Sequence, residues 1–133
     1  METMQRADIQ GAGTKYDGGK LRLDLVPVEA IEALGAVLTH GASKYGDRNW
    51  ERGMAWSRPY AALLRHLLAW WRGEDIDPES GLPHLWHAAT NAAFLVAYAG
   101  RGIGTDDRPR QDASANNFCK ACKKDLTKRF VCV

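Results

Sequence analysis

Several groups of side chains in this sequence are spaced so that a helix or a short turn would make them act together. His84, His87, Asn91 and Tyr98 lie three, four and seven residues apart, which sets them on one stripe of a helix. Imidazoles and a carboxamide in register can bind a metal, hydrogen-bond a phosphate or move a proton. Packing is the ordinary alternative for a helical histidine. Glu29 and Glu32 are spaced three apart among Ala30, Ala33 and Ala36, with no Lys or Arg beside them. Such a pair can share a hard divalent ion such as Mg²⁺, or simply form a solvated face. Glu74, Asp75, Asp77 and Glu79 crowd one short acidic stretch. It is either a second source of Mg²⁺ ligands or a solvated turn.

Basic groups complete the inventory. Arg58, Arg65 and Arg72 recur every seven residues, and His66 follows Arg65 between Leu64 and Leu67. Arg65 and His66 are expected to be partly buried there. The guanidinium would hold phosphate through two hydrogen bonds or pair with Glu29, Glu32 or Asp77. Residues 41–57 form a long connection holding Lys44, Tyr45, Arg48, Asn49 and Trp50, side chains suited to gripping a ligand. Gly18-Gly19-Lys20 is not a phosphate-binding loop, because that pattern needs Gly at 14 and Ser or Thr at 21, where Thr14 and Leu21 stand. Lys15, Lys20 and Arg22 can still neutralise phosphate. The histidine stripe is not His-Glu-x-x-His, since position 85 is Leu, and no His precedes an Asp as a His-Asp phosphohydrolase requires. Cys119-x-x-Cys122 with Cys132 offers three Zn²⁺ ligands where structural sites use four. Free reduced thiols are the alternative.

The elements that position these groups read as helices. Leu21, Leu23 and Leu25 alternate with Arg22 and Asp24, which predicts a short extended piece ending at Pro27. A first helix is expected over Val28–His40, with Ile31, Leu34 and Leu38 as its apolar stripe and Gly41 as its C-cap. A second runs from Ser57, as N-cap, through Leu63, Leu64, Leu67 and Leu68 to Trp71. Pro83 opens a third over His84 to about Tyr98, closed by Gly100 and Gly102. Its Ala88, Ala89, Ala92, Ala93 and Ala97 predict close packing on a neighbour. The fold class is therefore all-α: a small bundle of three main helices, an irregular N-terminal segment and a basic, cysteine-containing tail. The expected divisions are a flexible start over 1–13, a helical domain over 14–103, a linker over 104–117 and the tail over 118–133.

Composition agrees with this scale. With 133 residues, 45% hydrophobic and 26% charged, the chain has room for one globular domain. No apolar run approaches the ~18 residues of a membrane span, and residues 1–13 hold no apolar stretch that would make a signal peptide. A cytoplasmic setting is expected. The net charge of +2 divides unevenly: −2 over residues 1–100 and +4 over 101–133. Trp70, Trp71, Trp86, Phe94 and Tyr98 exceed what so small a bundle covers, so a homo-oligomer is expected.

Four stretches in order carry a resemblance. They are Lys-Tyr-Asp-Gly-Gly-Lys-Leu-Arg-Leu-Asp-Leu-Val-Pro (15–27), Gly-Ala-Ser-Lys-Tyr-Gly-Asp-Arg-Asn-Trp (41–50), Arg-His (65–66) and Gly-Glu-Asp-Ile-Asp-Pro-Glu-Ser-Gly-Leu-Pro-His-Leu-Trp-His-Ala (73–88). Together they resemble the phage dATP/dGTP diphosphohydrolase N-terminal domain family. That family is similar to a domain found ahead of a MazG-like pyrophosphohydrolase domain in longer phage proteins. MazG-like enzymes are all-α and use a Glu-x-x-Glu pair, matched here by Glu29 and Glu32. Their later Glu-x-x-Asp motif is replaced by His84-x-x-His87.

The resemblance implies hydrolysis of purine deoxynucleoside triphosphates to monophosphate and pyrophosphate. Mg²⁺, or Mn²⁺, would sit on Glu29, Glu32, Glu74 and Asp77. Glu29, His66 and His84 would be catalytic, with a histidine as base or proton donor. Lys15, Lys20, Arg22, Lys44, Tyr45, Asn49, Trp50, Arg65, His87 and Asn91 would bind the nucleotide. A second reading is a module that sequesters a nucleotide, or a nucleotide second messenger, without turnover. A third gives the tail, through Lys120, Lys123, Lys124, Lys128 and Arg129, a zinc-knuckle contact with nucleic acid.

Overall fold

The computed structural model describes Gly11 and residues 13–110. The cysteine zinc site, the basic tail and its nucleic-acid contact, the linker from 111 onward and most of the expected flexible start lie outside the described residues. Among the described residues the protein is all-α. Three helices, α1 (Val28–Tyr45), α2 (Ser57–Trp71) and α3 (His84–Arg101), are accompanied by two short 3₁₀ segments, Leu23–Leu25 before α1 and Asn49–Arg52 between α1 and α2. α3 packs against both α1 and α2. Its small residues make this close approach feasible: Ala88 is buried on α3 and Ala33 on α1. Tyr98, fully buried near the end of α3, supplies the largest side chain of the core.

The helix boundaries correct the sequence reading in physical terms. α1 does not stop at Gly41. Ala42, Ser43, Lys44 and Tyr45 continue the hydrogen-bonded spiral, and the chain breaks at Gly46, whose φ of 89° is the left-handed conformation glycine tolerates. α3 likewise runs past Gly100 to Arg101 and ends at left-handed Gly102. The alternating leucines do not form an extended piece. Leu23–Leu25 make one 3₁₀ turn, and Leu21, Leu23 and Leu25 stay exposed. With no strand to pair with, alternation alone has nothing to stabilise it.

α2 begins at its expected cap residue, one residue earlier than predicted. Trp56 holds the N-cap position and Ser57 is the first helical residue. The cap comes from far along the chain: Asp107 accepts hydrogen bonds from the Ser57 amide at 2.9 Å and from the Ser57 hydroxyl. Burial opposes ionisation of Asp107 only weakly, and these Ser57 hydrogen bonds hold its carboxyl below the usual range. Residues 103–107 thus form a strap along 53–57. Trp56 donates its backbone N–H to the Thr105 carbonyl and its indole N–H to the Ile103 carbonyl, both at 2.9 Å. Thr105 donates back to Met54 at 3.2 Å. Gly53 and Gly104 meet so closely that a Cβ on Gly53 would lie 2.7 Å from the Gly104 nitrogen.

The acidic stretch is a structured turn between α2 and α3. Asp77 N–H donates to the Leu82 carbonyl, Gly81 N–H to the Asp77 carbonyl, and His84 N–H to the Asp75 carbonyl. These bonds fold the turn back against the start of α3, placing Asp77 and Ser80 beside His87.

Candidate functional site

α1, the segment 46–54 and α3 enclose a cavity of about 910 Å³. One wall is aromatic. Trp50 stacks on Phe94 with ring centroids 5.1 Å apart, and the Arg101 guanidinium covers the Trp50 ring at 5.2 Å. Tyr98 fixes this wall by donating its hydroxyl proton to the Trp50 carbonyl at 2.7 Å. Burial raises the Tyr98 phenol above its usual pKa, so it remains a donor.

Three histidines line the same cavity, His40 of α1, His66 of α2 and His87 of α3, and the buried His84 of α3 contacts His66 from outside the lining. His66 of α2 stacks on His87 of α3, centroids 4.5 Å apart at 11°. Its Nδ1 also lies 2.8 Å from Nδ1 of His84. His84 is buried, and its Nε2 forms no hydrogen bond, though Oε1 of Glu74 stands 3.4 Å away.

The proton positions follow from this contact set. One of the two facing Nδ1 atoms must carry a hydrogen. If His84 carried it, the lone pair of its buried Nε2 would point toward the Glu74 carboxylate, which is unfavourable. The better arrangement protonates His84 at Nε2, where Glu74 attracts the proton, and lets His66 donate from Nδ1. His66 then presents an unprotonated Nε2, without a hydrogen-bond partner among the described residues, from a residue that lines the cavity. Burial is the main cause holding the His66 pKa below its ordinary value, with His87 adding to the effect and Asp77 opposing it. The ring is therefore neutral near pH 7 and able to accept a proton.

His87 is set by a different logic. Ser80 donates to Oδ2 of Asp77 at 2.9 Å, which uses its one hydroxyl proton. The 2.6 Å contact between Ser80 Oγ and His87 Nε2 must then run from the imidazole N–H to the serine oxygen. Burial also lowers the His87 pKa, against the raising influence of Asp77. Asp77 itself is held below the usual carboxylate range: burial resists its ionisation, but hydrogen bonds from Ser80 and the Glu79 amide outweigh that resistance. Ser80 was given no role by the sequence alone. The signal for it was its place three residues after Asp77, the reach of a turn side chain.

The other expected residues divide clearly. Lys44, Tyr45, Asn49, Trp50, Asp77, His87 and Asn91 line the cavity. Lys44 is already paired with Glu79 at 3.3 Å. Arg65 is exposed rather than partly buried, and neither it nor Arg58 forms an ion pair among the described residues. Lys15, Lys20 and Arg22 are exposed and outside the cavity lining, Arg22 being paired with Asp24. The four carboxylates expected to share Mg²⁺ or Mn²⁺ do not converge. Glu29 and Glu32 are exposed on α1, Glu74 faces His84, and Asp77 is engaged by Ser80 and the Glu79 amide. Among the described residues no group of three or more His, Cys, Asp or Glu is placed to hold a metal ion. As placed, these four carboxylates do not fit a shared ion.

Residues 10–108 match the family model described as dATP/dGTP diphosphohydrolase, N-terminal. The chain belongs to this family. It is also 36% identical over 96 residues to a protein of Salmonella phage PMBT28 named dATP/dGTP diphosphohydrolase. That alignment covers 72% of this chain and 33% of the relative, so the chain spans about a third of the relative's length. No solved structure matches at a significant level. The family match contains the whole cavity, the acidic turn and the strap that caps α2.

Proposed function

We propose that this cavity binds a purine deoxynucleoside triphosphate and that the chain takes part in its hydrolysis to the monophosphate and pyrophosphate. The observation that carries the reading is the contact chain from His66 through His84 to Glu74, which leaves His66 Nε2 as the acceptor, in a cavity that the stacked Trp50 and Phe94 also line. The name of the phage relative points to the same substrates. An aromatic platform offers a purine a flat face, and Asn49 and Asn91 offer it donors and acceptors. A neutral imidazole beside it would take the proton of the attacking water. Asp77 supports the imidazolium that forms, since its charge raises the pKa of His66 and His87 alike. In this reading His66 is the catalytic group, while His84 and Glu74 are positioning residues that fix its tautomer.

Two coarser parts of the reading accompany it. No helix among the described residues is long and apolar enough to cross a membrane, and a cytoplasmic site of action is proposed with the substrate. Association of identical subunits is proposed from the exposure of Trp71 and Ile31.

The test is to incubate the protein with dATP or dGTP, denature it and identify what is recovered. Monophosphate and pyrophosphate in equal amounts support hydrolysis. Intact nucleotide recovered from a stable complex would replace this reading with sequestration, and neither binding nor turnover would remove both.

A further inference from the structure

Beside the main cavity runs a second, shallower groove of about 530 Å³ along the first three turns of α2. It is lined by Met54, Ser57, Pro59, Ala61 and Ala62, with Arg58, Arg65, Asn91 and Phe94 completing it. The only charged side chains in that lining are two arginines, and no carboxylate is among them. Met54, Arg58, Asn91 and Phe94 belong to both the groove and the cavity, so the two spaces are continuous.

The cations around the site are not equivalent. Lys44 is paired with Glu79, and Arg48 with Glu51. Arg58 is the one lysine or arginine of the cavity lining that forms no ion pair among the described residues, and Arg65 of the groove forms none either. The two stand seven residues apart on α2, which is two turns and roughly 10 Å along the axis. That separation matches a short linear anion rather than a single compact one. The Asp107 carboxylate already takes the Ser57 amide at the start of α2, so the helix end itself is occupied. What remains is a pair of guanidinium groups with free donors at one side of the cavity.

We propose that this groove is an oligophosphate subsite: Arg58 and Arg65 bind the two phosphates of a pyrophosphate unit, either free or as the distal part of a nucleoside triphosphate. This rests on the nucleotide reading above for the triphosphate form only. Guanidinium groups meet phosphate oxygens through paired, charge-assisted hydrogen bonds, and neither arginine is engaged by a carboxylate among the described residues. A triphosphate crossing from the groove to the cavity would pass Arg58 and Asn91, which both spaces share. Arg65 also follows directly before His66, and its positive charge lowers the His66 pKa. An anion on Arg65 offsets that charge and makes His66 a stronger base.

The experiment titrates inorganic pyrophosphate, dGTP and dGMP separately into the full chain, unchanged and as Arg58→Gln/Arg65→Gln. Both arginines are exposed, so the variant should keep the helical spectrum of the parent. Pyrophosphate and dGTP are expected to bind the parent and to bind the variant at least about tenfold more weakly, while dGMP is unaffected. In the parent, the side-chain Nε–H resonances of Arg58 and Arg65 should shift with pyrophosphate. Equal pyrophosphate binding by parent and variant overturns the proposal, as does a parent that binds dGTP but not pyrophosphate. Pyrophosphate bound through these arginines with no nucleotide bound at all sustains the subsite and removes the nucleotide reading. If the variant misfolds, the resonance shifts in the parent decide alone.

Discussion

At the scale of single residues the account depends on where three protons sit. With the His84 proton drawn to Nε2 by Glu74 and the Ser80 proton given to Asp77, His66 donates from Nδ1 to His84 and His87 from Nε2 to Ser80, which leaves His66 Nε2 as the open base. Burial is the main reason both His66 and His87 titrate below their ordinary value. The sign of the linkage is then fixed. An unfolded histidine takes up its proton near pH 6.5, before the folded one does, so acid favours the unfolded chain. Melting temperature is expected to fall as pH drops below about 6.5, and thermal scans from pH 8 to 5 check it. Hydrolysis should show an acid limb, falling as His66 takes up its proton below the ordinary histidine value. Asp77→Asn removes a charge that raises both pKa values, so it should move that limb to lower pH. An upward move would contradict the assigned surroundings of His66. None of this pairing was readable in the sequence. His84 and His87 share a helical stripe by simple periodicity, but His66 reaches them across a turn whose path depends on backbone hydrogen bonds. The neighbours that matter, Glu74 and Ser80, looked like ordinary members of a polar turn.

At the scale of elements, the helices were legible and their ends were not. Alanine and leucine patterns, Pro27 and Pro83 mark three helices without ambiguity. A glycine stops a helix only where the chain needs a positive φ, and composition does not say which glycine that is. Gly41 continues α1 while Gly46 ends it. The strap over 103–107 was unreadable for a different reason. It caps α2 with Asp107 from fifty residues away, and no local rule looks that far. The strap predicts two stability effects. Gly104→Ala adds a Cβ at φ 76° against the Met54 carbonyl, and should cost about 2 kcal/mol or more. Asp107→Ala removes the cap of α2 and should lower the melting temperature by a smaller amount. Chemical denaturation of both variants checks the order. A Gly104→Ala protein as stable as the parent would mean that the strap is not held as described.

At the scale of the whole molecule, α3 touches both other helices and still leaves much apolar surface uncovered. Trp71 is 79% exposed, Val28 62% and Ile31 57%. A monomer rarely leaves side chains of this kind in water in such number, which supports the proposed association of identical chains. Light scattering across a concentration series should give a mass above 14.7 kDa, falling toward it in Trp71→Glu. A monomer at every concentration would contradict the proposal. The family match motivates the proposed substrate class, and the contacts of His66 motivate the proposed mechanism. Both meet in one measurement: single-turnover hydrolysis of dGTP by the parent chain and by His66→Gln, compared at pH 7.5 with the melting temperature of each recorded. The account predicts pyrophosphate and dGMP from the parent, and a loss of about a hundredfold or more in rate for the variant with its binding of dGTP retained. A variant that turns over dGTP as fast as the parent would contradict the role given to His66.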